Sequence, residues 1–404
     1  MRRALIILTA AGLAQAQQAP TSYIGAGGCN SSNCHGAAAE LALADSRIKG
    51  NEYATWANAD KHARAYRVLL EARGKRMAEI LKITDAGHDK RCVNCHVVGS
   101  PEKSINDGVA CEACHGPAEK WLGPHSVKKD GVSPEVRHKE NVANGMIDTK
   151  DLPVRADTCL KCHVGDENHV VDHDLIAAGH PDLAFELETF TEAQPAHHRQ
   201  KPAAIRIRAW AVGETAALGK AMGLIAMHAP KNWPEFSDME CYQCHHDLRS
   251  DSLRIARGYG SRRPGSLQLN GSRIEVVKAL VSVAAPEERG ALDAALARLG
   301  SNVMDAAATA QAAGAIEAIA KRLTTRFQNQ DIDAAAVLRA VSANIQRIAD
   351  DGVNAAEQAT MTLDALGAAL GRNPDATKPL YDYLEHPSAY RPGEFVGLYQ
   401  RAGM

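Results

Sequence analysis

Aromatic residues make up only 4% of this 404-residue chain, and every one of its ten cysteines falls inside a paired motif. Long hydrophobic runs are also missing. The longest uncharged apolar stretch, Ala4 to Ala14, is too short to span a bilayer, so no membrane span is expected. Neither sign of charge dominates, with 46 Lys and Arg against 48 Asp and Glu, which argues against nucleic acid as the main partner. With so few aromatics, something other than ordinary side chains must supply much of the apolar bulk in part of the molecule.

What is present is a repeated cysteine pattern. The pairs read Cys29-x4-Cys34-His35, Cys92-x2-Cys95-His96, Cys111-x2-Cys114-His115, Cys159-x2-Cys162-His163 and Cys241-x2-Cys244-His245. C-x-x-C-H is the attachment pattern of c-type haem. Two intervening residues let one turn of backbone set both sulfurs along one porphyrin edge, where they add across the vinyl groups. The next residue, histidine, reaches the iron as proximal ligand. The first motif is a wider variant, with Asn30 to Asn33 between its cysteines. A disulfide framework or zinc knuckles would also use paired cysteines, but neither requires a histidine after every second one. The expectation is five covalently bound haem c groups, each with its iron. Flat apolar porphyrins would then replace much of a conventional core.

The N-terminus fits that chemistry. Arg2-Arg3 is a basic start, Ala4 to Ala14 an apolar stretch, and Ala14-Gln15-Ala16 a small-x-small cleavage site. Residues 1–16 read as a secretory signal of the general export route, and thioether formation takes place outside the cytoplasm. The expected location is the bacterial periplasm.

Four segments follow: the signal at 1–16, a pentahaem region at 17–253, a linker at 254–268 and a helical bundle at 269–404. Arg254 to Gly265 is basic and glycine-rich, as a connector should be. Beyond it, apolar residues recur at helical spacing: Ile274, Val277 and Val281; Leu292, Leu296 and Leu299; Ile316, Ile319, Leu323 and Phe327; Val337, Val341, Ile345 and Ile348; Leu363, Leu366 and Leu370. These predict an antiparallel bundle of four or five helices whose stripes form a core. The bundle could cap the haem region, dock a partner or mediate oligomerisation. The haem region should be helical too, with little other regular structure. Its clearest stretches are Tyr53 to Ala72 and Ala203 to His228. The fold class is thus mainly α.

Twelve further histidines remain: His62, His88, His125, His138, His169, His173, His180, His197, His198, His228, His246 and His386. Such an excess is what bis-histidine ligation needs. His62 lies beside the apolar stripe of the first helical stretch. His125 follows the third motif on a short proline-bounded link. His180 sits in a Gly-His-Pro turn, and His228 precedes proline closely. His173, preferred over His169, completes five candidate distal ligands. Methionines are few in this region: Met77, Met146, Met222, Met227 and Met239. Mostly bis-histidine haems are therefore expected, and these sit at low potential. Only fourteen residues separate His96 from Cys111, so the second and third haems are expected to be neighbours.

These residues resemble multihaem cytochromes of the cytochrome c-554 type, which are related to the haem-packing core of multihaem nitrite and hydroxylamine oxidoreductases. The resemblance rests on Tyr23-Ile-Gly25, on Trp56 with Asp60-Lys-His62-Ala63, and on the close second and third motifs through Gly116-Pro117. It also rests on Gly179-His180-Pro-Asp-Leu-Ala-Phe-Glu-Leu187, and covers roughly residues 22 to 250. It implies a periplasmic protein with haems in stacked and perpendicular pairs that passes electrons between redox partner proteins, and it makes His62 and His180 distal ligands. Five motifs rather than the namesake's four, the widened first motif and the C-terminal half depart from the pattern. An alternative is an oxidoreductase acting on a small nitrogen or sulfur compound at one open iron. Against it, no C-x-x-C-Lys occurs and the motifs are too few for a hydroxylamine-oxidising relative. Lys128, Lys129, Arg199, Arg206 and Arg208 could draw an anion, though such charges usually form a solvated face.

Overall fold

The computed structural model describes residues 22–41, 48–98, 107–127, 131–196, 202–246, 248–250, 252, 265–301 and 303–403. The expected signal, most of the linker, and Lys128, Lys129, His197, His198 and Arg199 lie outside them. The protein is mostly helical at 64%. Extended pairing among the described residues is confined to isolated bridges, Asp166 with His169 and Met239 with Leu269.

The first half holds α1 (Glu52–Ala59), α2 (Ala72–Leu81), α3 (Lys90–His96), α4 (Cys111–His115), α5 (Leu122–Ser126), α6 (Pro134–Ala143), α7 (Leu152–His163), α8 (His173–Ala177), α9 (Leu187–Ala193) and α10 (Ala203–His228), besides shorter turns. Side-chain caps start several of them. Asp89, Ser133, Asp151 and Asp172 each accept a backbone N–H from the first turn of α3, α6, α7 and α8. Prolines in the first turns of α6 and α7 add a preset φ.

The stretch from Tyr53 to Ala72 is not one helix. Asp60 adopts an extended conformation and ends α1; its carboxylate then caps a 3₁₀ turn, Lys61–Arg64. His62 therefore sits on that turn rather than on an amphipathic helix. The local hydrogen bond from its backbone N–H to Asp60 Oδ1, at 2.9 Å, competes with helix continuation.

Ordinary packing in the haem region is thin. A small cluster joins Tyr66, Leu69, Ala78, Ala86, Cys92, Val93 and Val97. The large core lies elsewhere and centres on α10, whose Trp210, Val212, Leu218, Met222 and Ile225 are buried. Leu152, Ala156 and Leu160 of α7 enter the same core. So do the helices after the linker: α11 (Ile274–Ala284), α12 (Arg289–Ser301), α13 (Ala306–Phe327), α14 (Ala334–Ala343), α15 (Ile345–Asp351), α16 (Val353–Ala369), α17 (Lys378–Leu384) and α18 (Pro392–Ala402). The helix before the linker is thus a central member of the bundle.

The closest partners are α10 and α13. A buried hydroxyl bond between Thr324 and Thr215, 3.0 Å, crosses between them. Gly213 lets the start of α9 press against α10, because a Cβ there would meet Leu187 Cβ at 2.5 Å. Burying one Leu or Met side chain of this seam stabilises by about 1.5–3 kcal/mol.

The sequence stripes face this core, with two differences. Leu370 is 43% exposed at the end of α16. The stripe from Val337 to Ile348 spans two helices, divided at Asn344. Gly352, at φ 122°, separates α15 from α16. With α17 and α18, these breaks give eight helices among the described residues after 273, rather than four or five.

Candidate haem-iron centres

Each motif is held by its own local structure. Motifs two, three and four end α3, α4 and α7, so the second cysteine and the histidine come off the last turn. Motif one follows a 3₁₀ turn, Ala26–Cys29, and motif five contains another, Cys241–Gln243. Motif five is also tied to the last linker residues, since Gln268 N donates to Gln243 Oε1 at 2.9 Å. None of the ten cysteines is joined to another in a disulfide.

Four motif histidines face a second imidazole. His35 and His125 are stacked with ring centroids 6.0 Å apart. His173 and His245 are stacked at 6.3 Å. His62 meets His163 edge-on at 6.1 Å, and His96 meets His180 edge-on at 6.4 Å. Two imidazoles on opposite sides of one metal, with bonds of about 2 Å each, have centroids roughly 6 Å apart. All four separations therefore leave room for an iron, and the residues fit the group that the motifs imply.

The hydrogen bonds behind the rings suit the same arrangement. Imidazole coordinates through one nitrogen while the other is fixed by an acceptor. His35 Nδ1 lies 2.9 Å from Glu52, His62 Nδ1 3.0 Å from Asp60, His96 Nδ1 2.7 Å from the Ala65 carbonyl, and His180 Nδ1 2.8 Å from the Pro181 carbonyl. In each, Nε2 is left for a metal. His125 Nδ1 lies 3.2 Å from Asn141 Nδ2, while Asn141 Oδ1 is buried without a partner. Turning that amide over lets the ring donate from Nδ1 to Oδ1, which leaves Nε2 for a metal.

Burial keeps several rings in the neutral, ligating form. It pushes His163 down to about 4, with the neighbouring His62 adding to the shift, and it lowers His96 and His125. His35 goes the other way, because the hydrogen bond to Glu52 favours its charged form. Glu52 in turn is held at about 2: burial opposes its ionisation, but hydrogen bonds from His35 and from Lys49 N outweigh that.

The remaining histidines make other contacts. His228 Nδ1 pairs with Asp238 at 2.9 Å, which raises its pKa, and the ring lines an open cleft. His169 pairs with Asp166, His88 with Asp85, and His138 through Nε2 with Asp148. The backbone carbonyl of His115 accepts from Ile147 N at 3.0 Å. Arg206 is paired with Glu188, and Arg208 Nε donates to the Ala204 carbonyl.

Thiols of different motifs also meet. Cys29 hydrogen-bonds Cys111, and Cys95 hydrogen-bonds Cys162, while Cys114 lies in the field of Cys159 and Cys162. These contacts join motif one to three, two to four and three to four, rather than simply following the chain.

Several positioning residues escape a reading of the motifs alone. Glu112, inside motif three, is buried and gathers the backbone N–H groups of Ile24, Gly25 and Ala118 at 2.7–3.1 Å. Trp56 Nε1 donates to the Val109 carbonyl at 3.0 Å. Gly108 has φ 60°, and a Cβ there would come within 2.8 Å of the His62 carbonyl. Phe185 stacks on His163 with centroids 4.6 Å apart, and Phe190 meets the same ring edge-on. Trp56, Gly108, Glu112 and Phe185 fall within the stretches that carry the family resemblance, whereas Phe190 does not.

Comparison with known proteins agrees with this geometry. Residues 28–116 match the family described as cytochrome c554 and c-prime. Cytochrome c-554 of Nitrosomonas europaea is 30% identical over 124 residues, covering 26% of this chain and 49% of the relative. The chain thus spans about half the length of the curated relative that it matches. No solved structure matches it. The chain is cytochrome c-554-like across its first motifs. Among the described residues, no helix is long and apolar enough to cross a membrane.

Proposed function

We propose that the protein is a periplasmic pentahaem c-type cytochrome that relays electrons between redox partner proteins. The observation that carries this reading is the set of four imidazole pairs at 6.0–6.4 Å, each containing one motif histidine. His35 with His125, His163 with His62, His96 with His180 and His245 with His173 would hold four irons. His115 would hold the fifth. The ten motif cysteines would carry the thioethers. Each haem, when bound, supplies a one-electron iron couple.

The chain's own part is placement. Glu52, Asp60 and the carbonyls of Ala65 and Pro181 orient the rings and make them better donors to ferric iron, which lowers potential. Cysteine contacts between motifs one and three, and between two and four, set the attachment edges side by side, as a relay requires. Six-coordinate irons would exclude substrate and leave electron transfer as the task.

Intact-mass analysis of the exported protein tests the reading. Five added haem masses are expected, with low-spin ferric signals from the bis-histidine sites in electron paramagnetic resonance. A chain secreted without added prosthetic mass would refute it. A high-spin signal that shifts on adding nitrite or hydroxylamine would move the function to the oxidoreductase alternative.

A further inference from the structure

We propose that the buried pair Glu186 and Glu214 is a redox-linked proton site, gaining one proton when the iron held by His163 gains one electron. This rests on the haem reading above and adds a second transported charge to it. The redox partner protein supplies the electron, which reduces ferric to ferrous iron. Bulk water supplies the proton, which converts one carboxylate of the pair to a carboxylic acid. The net charge of the region is then unchanged.

The geometry is as follows. Glu214 lies midway along α10 and is 2% exposed, and neither of its carboxyl oxygens has a hydrogen-bond partner. A buried carboxyl without donors is costly as an anion. Glu186, also 2% exposed, accepts from Glu188 N, Thr189 N and the Thr189 hydroxyl, which favour its charged form. The negative charge of Glu186 adds to burial in disfavouring the ionised form of Glu214. Burial raises both, Glu186 to about 7.

A short chain of contacts links the pair to His163. Phe185, next to Glu186, stacks on the His163 ring. The Phe185 carbonyl accepts from Arg273 Nη2 at 3.4 Å and from Gln358 Nε2 at 3.1 Å. Arg273 lies in the field of Glu214, and its Nε is buried without a partner. Arg273 and Gln358 also line the open cleft beside His228, together with Asn270 and Ser272.

Other charged groups face the pair from the surrounding elements. On α9, Glu188 is paired with Arg206 of α10 and lies in the field of Arg155 of α7. On α17, Tyr381 is bonded to Asp364 of α16 and lies in the field of Glu186. From α13 the Thr324 hydroxyl meets Thr215, next to Glu214, and Glu317 lies farther along against Gly223. On α16, Glu357 is raised to about 7 by burial and then by Asp182, and it lines the same cleft as Arg273. On α11, Glu275 is engaged by Lys278 and Arg347.

Potentiometric titration of the holoprotein across the neutral pH range tests the proposal. In the wild type, one haem midpoint should fall as pH rises, by up to about 59 mV for each tenfold drop in proton activity. Glu214→Gln or Glu186→Gln should abolish that slope. A pH-independent wild type, or a slope kept in both variants, overturns the proposal. Mass analysis of the same samples, showing five haems, keeps this failure apart from failure of the haem reading. If a variant does not load its haems, reduced-minus-oxidised infrared spectra of the wild type decide. A protonated-carboxyl stretch should appear on reduction and shift in Glu214→Asp, and its absence overturns the proposal.

Discussion

His180 shows how one side chain is fixed from three directions. Gly179, at φ 115°, turns the chain, and Arg73 Nε clasps the Gly179 carbonyl at 3.0 Å. The His180 backbone N–H then closes the helix end on Leu175 O, and Nδ1 reaches the Pro181 carbonyl. The ring has little freedom except to face His96. On the proposed reading, His180→Ala should leave all five thioether haems in place but turn one of them high-spin, because its attachment depends on Cys92 and Cys95. Mass and electron paramagnetic resonance measured on one sample would check both halves. An all-low-spin spectrum in that variant would remove His180 from the ligand set.

At the scale of the helix, stability comes from ordinary packing. Leu218 of α10 is 2% exposed and belongs to the large core. Leu218→Ala should cost about 2–5 kcal/mol, read as a lower denaturation midpoint by circular dichroism. Charge matters at the end of α15. Burial first, and then Glu275, raises Asp351 from its usual range to about 6. A carboxyl raised in the folded state contributes most below its unfolded pKa of about 4, and that contribution is lost as pH rises through 6. Asp351→Asn should therefore raise the melting temperature above pH 6, by the equivalent of about 1–3 kcal/mol, with little change at pH 4. Equal shifts at both pH values would show that the effect is not ionisation. This level was well marked in sequence. Period-3.6 stripes and the prolines after His228 gave α10 and most of the bundle faces, because helix packing repeats locally. Asn344 and the Asp60 turn were not marked, because each break depends on one local hydrogen-bonding choice that hydropathy does not record.

Across the whole molecule, the motifs and the pairings were unequally visible. Cysteine spacing is fixed by covalent chemistry and can be read from five residues. Which distal histidine faces which motif is set by long-range folding: His35 meets His125, 90 residues away, and His62 meets His163. The linker likewise hid the role of α10, since a basic glycine-rich string suggests separation. The shared core carries a prediction. A chain ending at residue 268 would expose Val212, Leu218 and Ile225. It should therefore aggregate when purified, even if its haems attach. A soluble, monomeric truncation would show that the first half folds without the bundle.

The central place of α10 also orders events in time. It is synthesised between the fourth and fifth attachment motifs, whereas α13, which covers it, comes off the ribosome only after both. Chains tend to build structure from the N-terminus onward. On the proposed reading, a haem attached while the chain is still emerging is received before the finished interior exists, and the last helices close the shell afterwards.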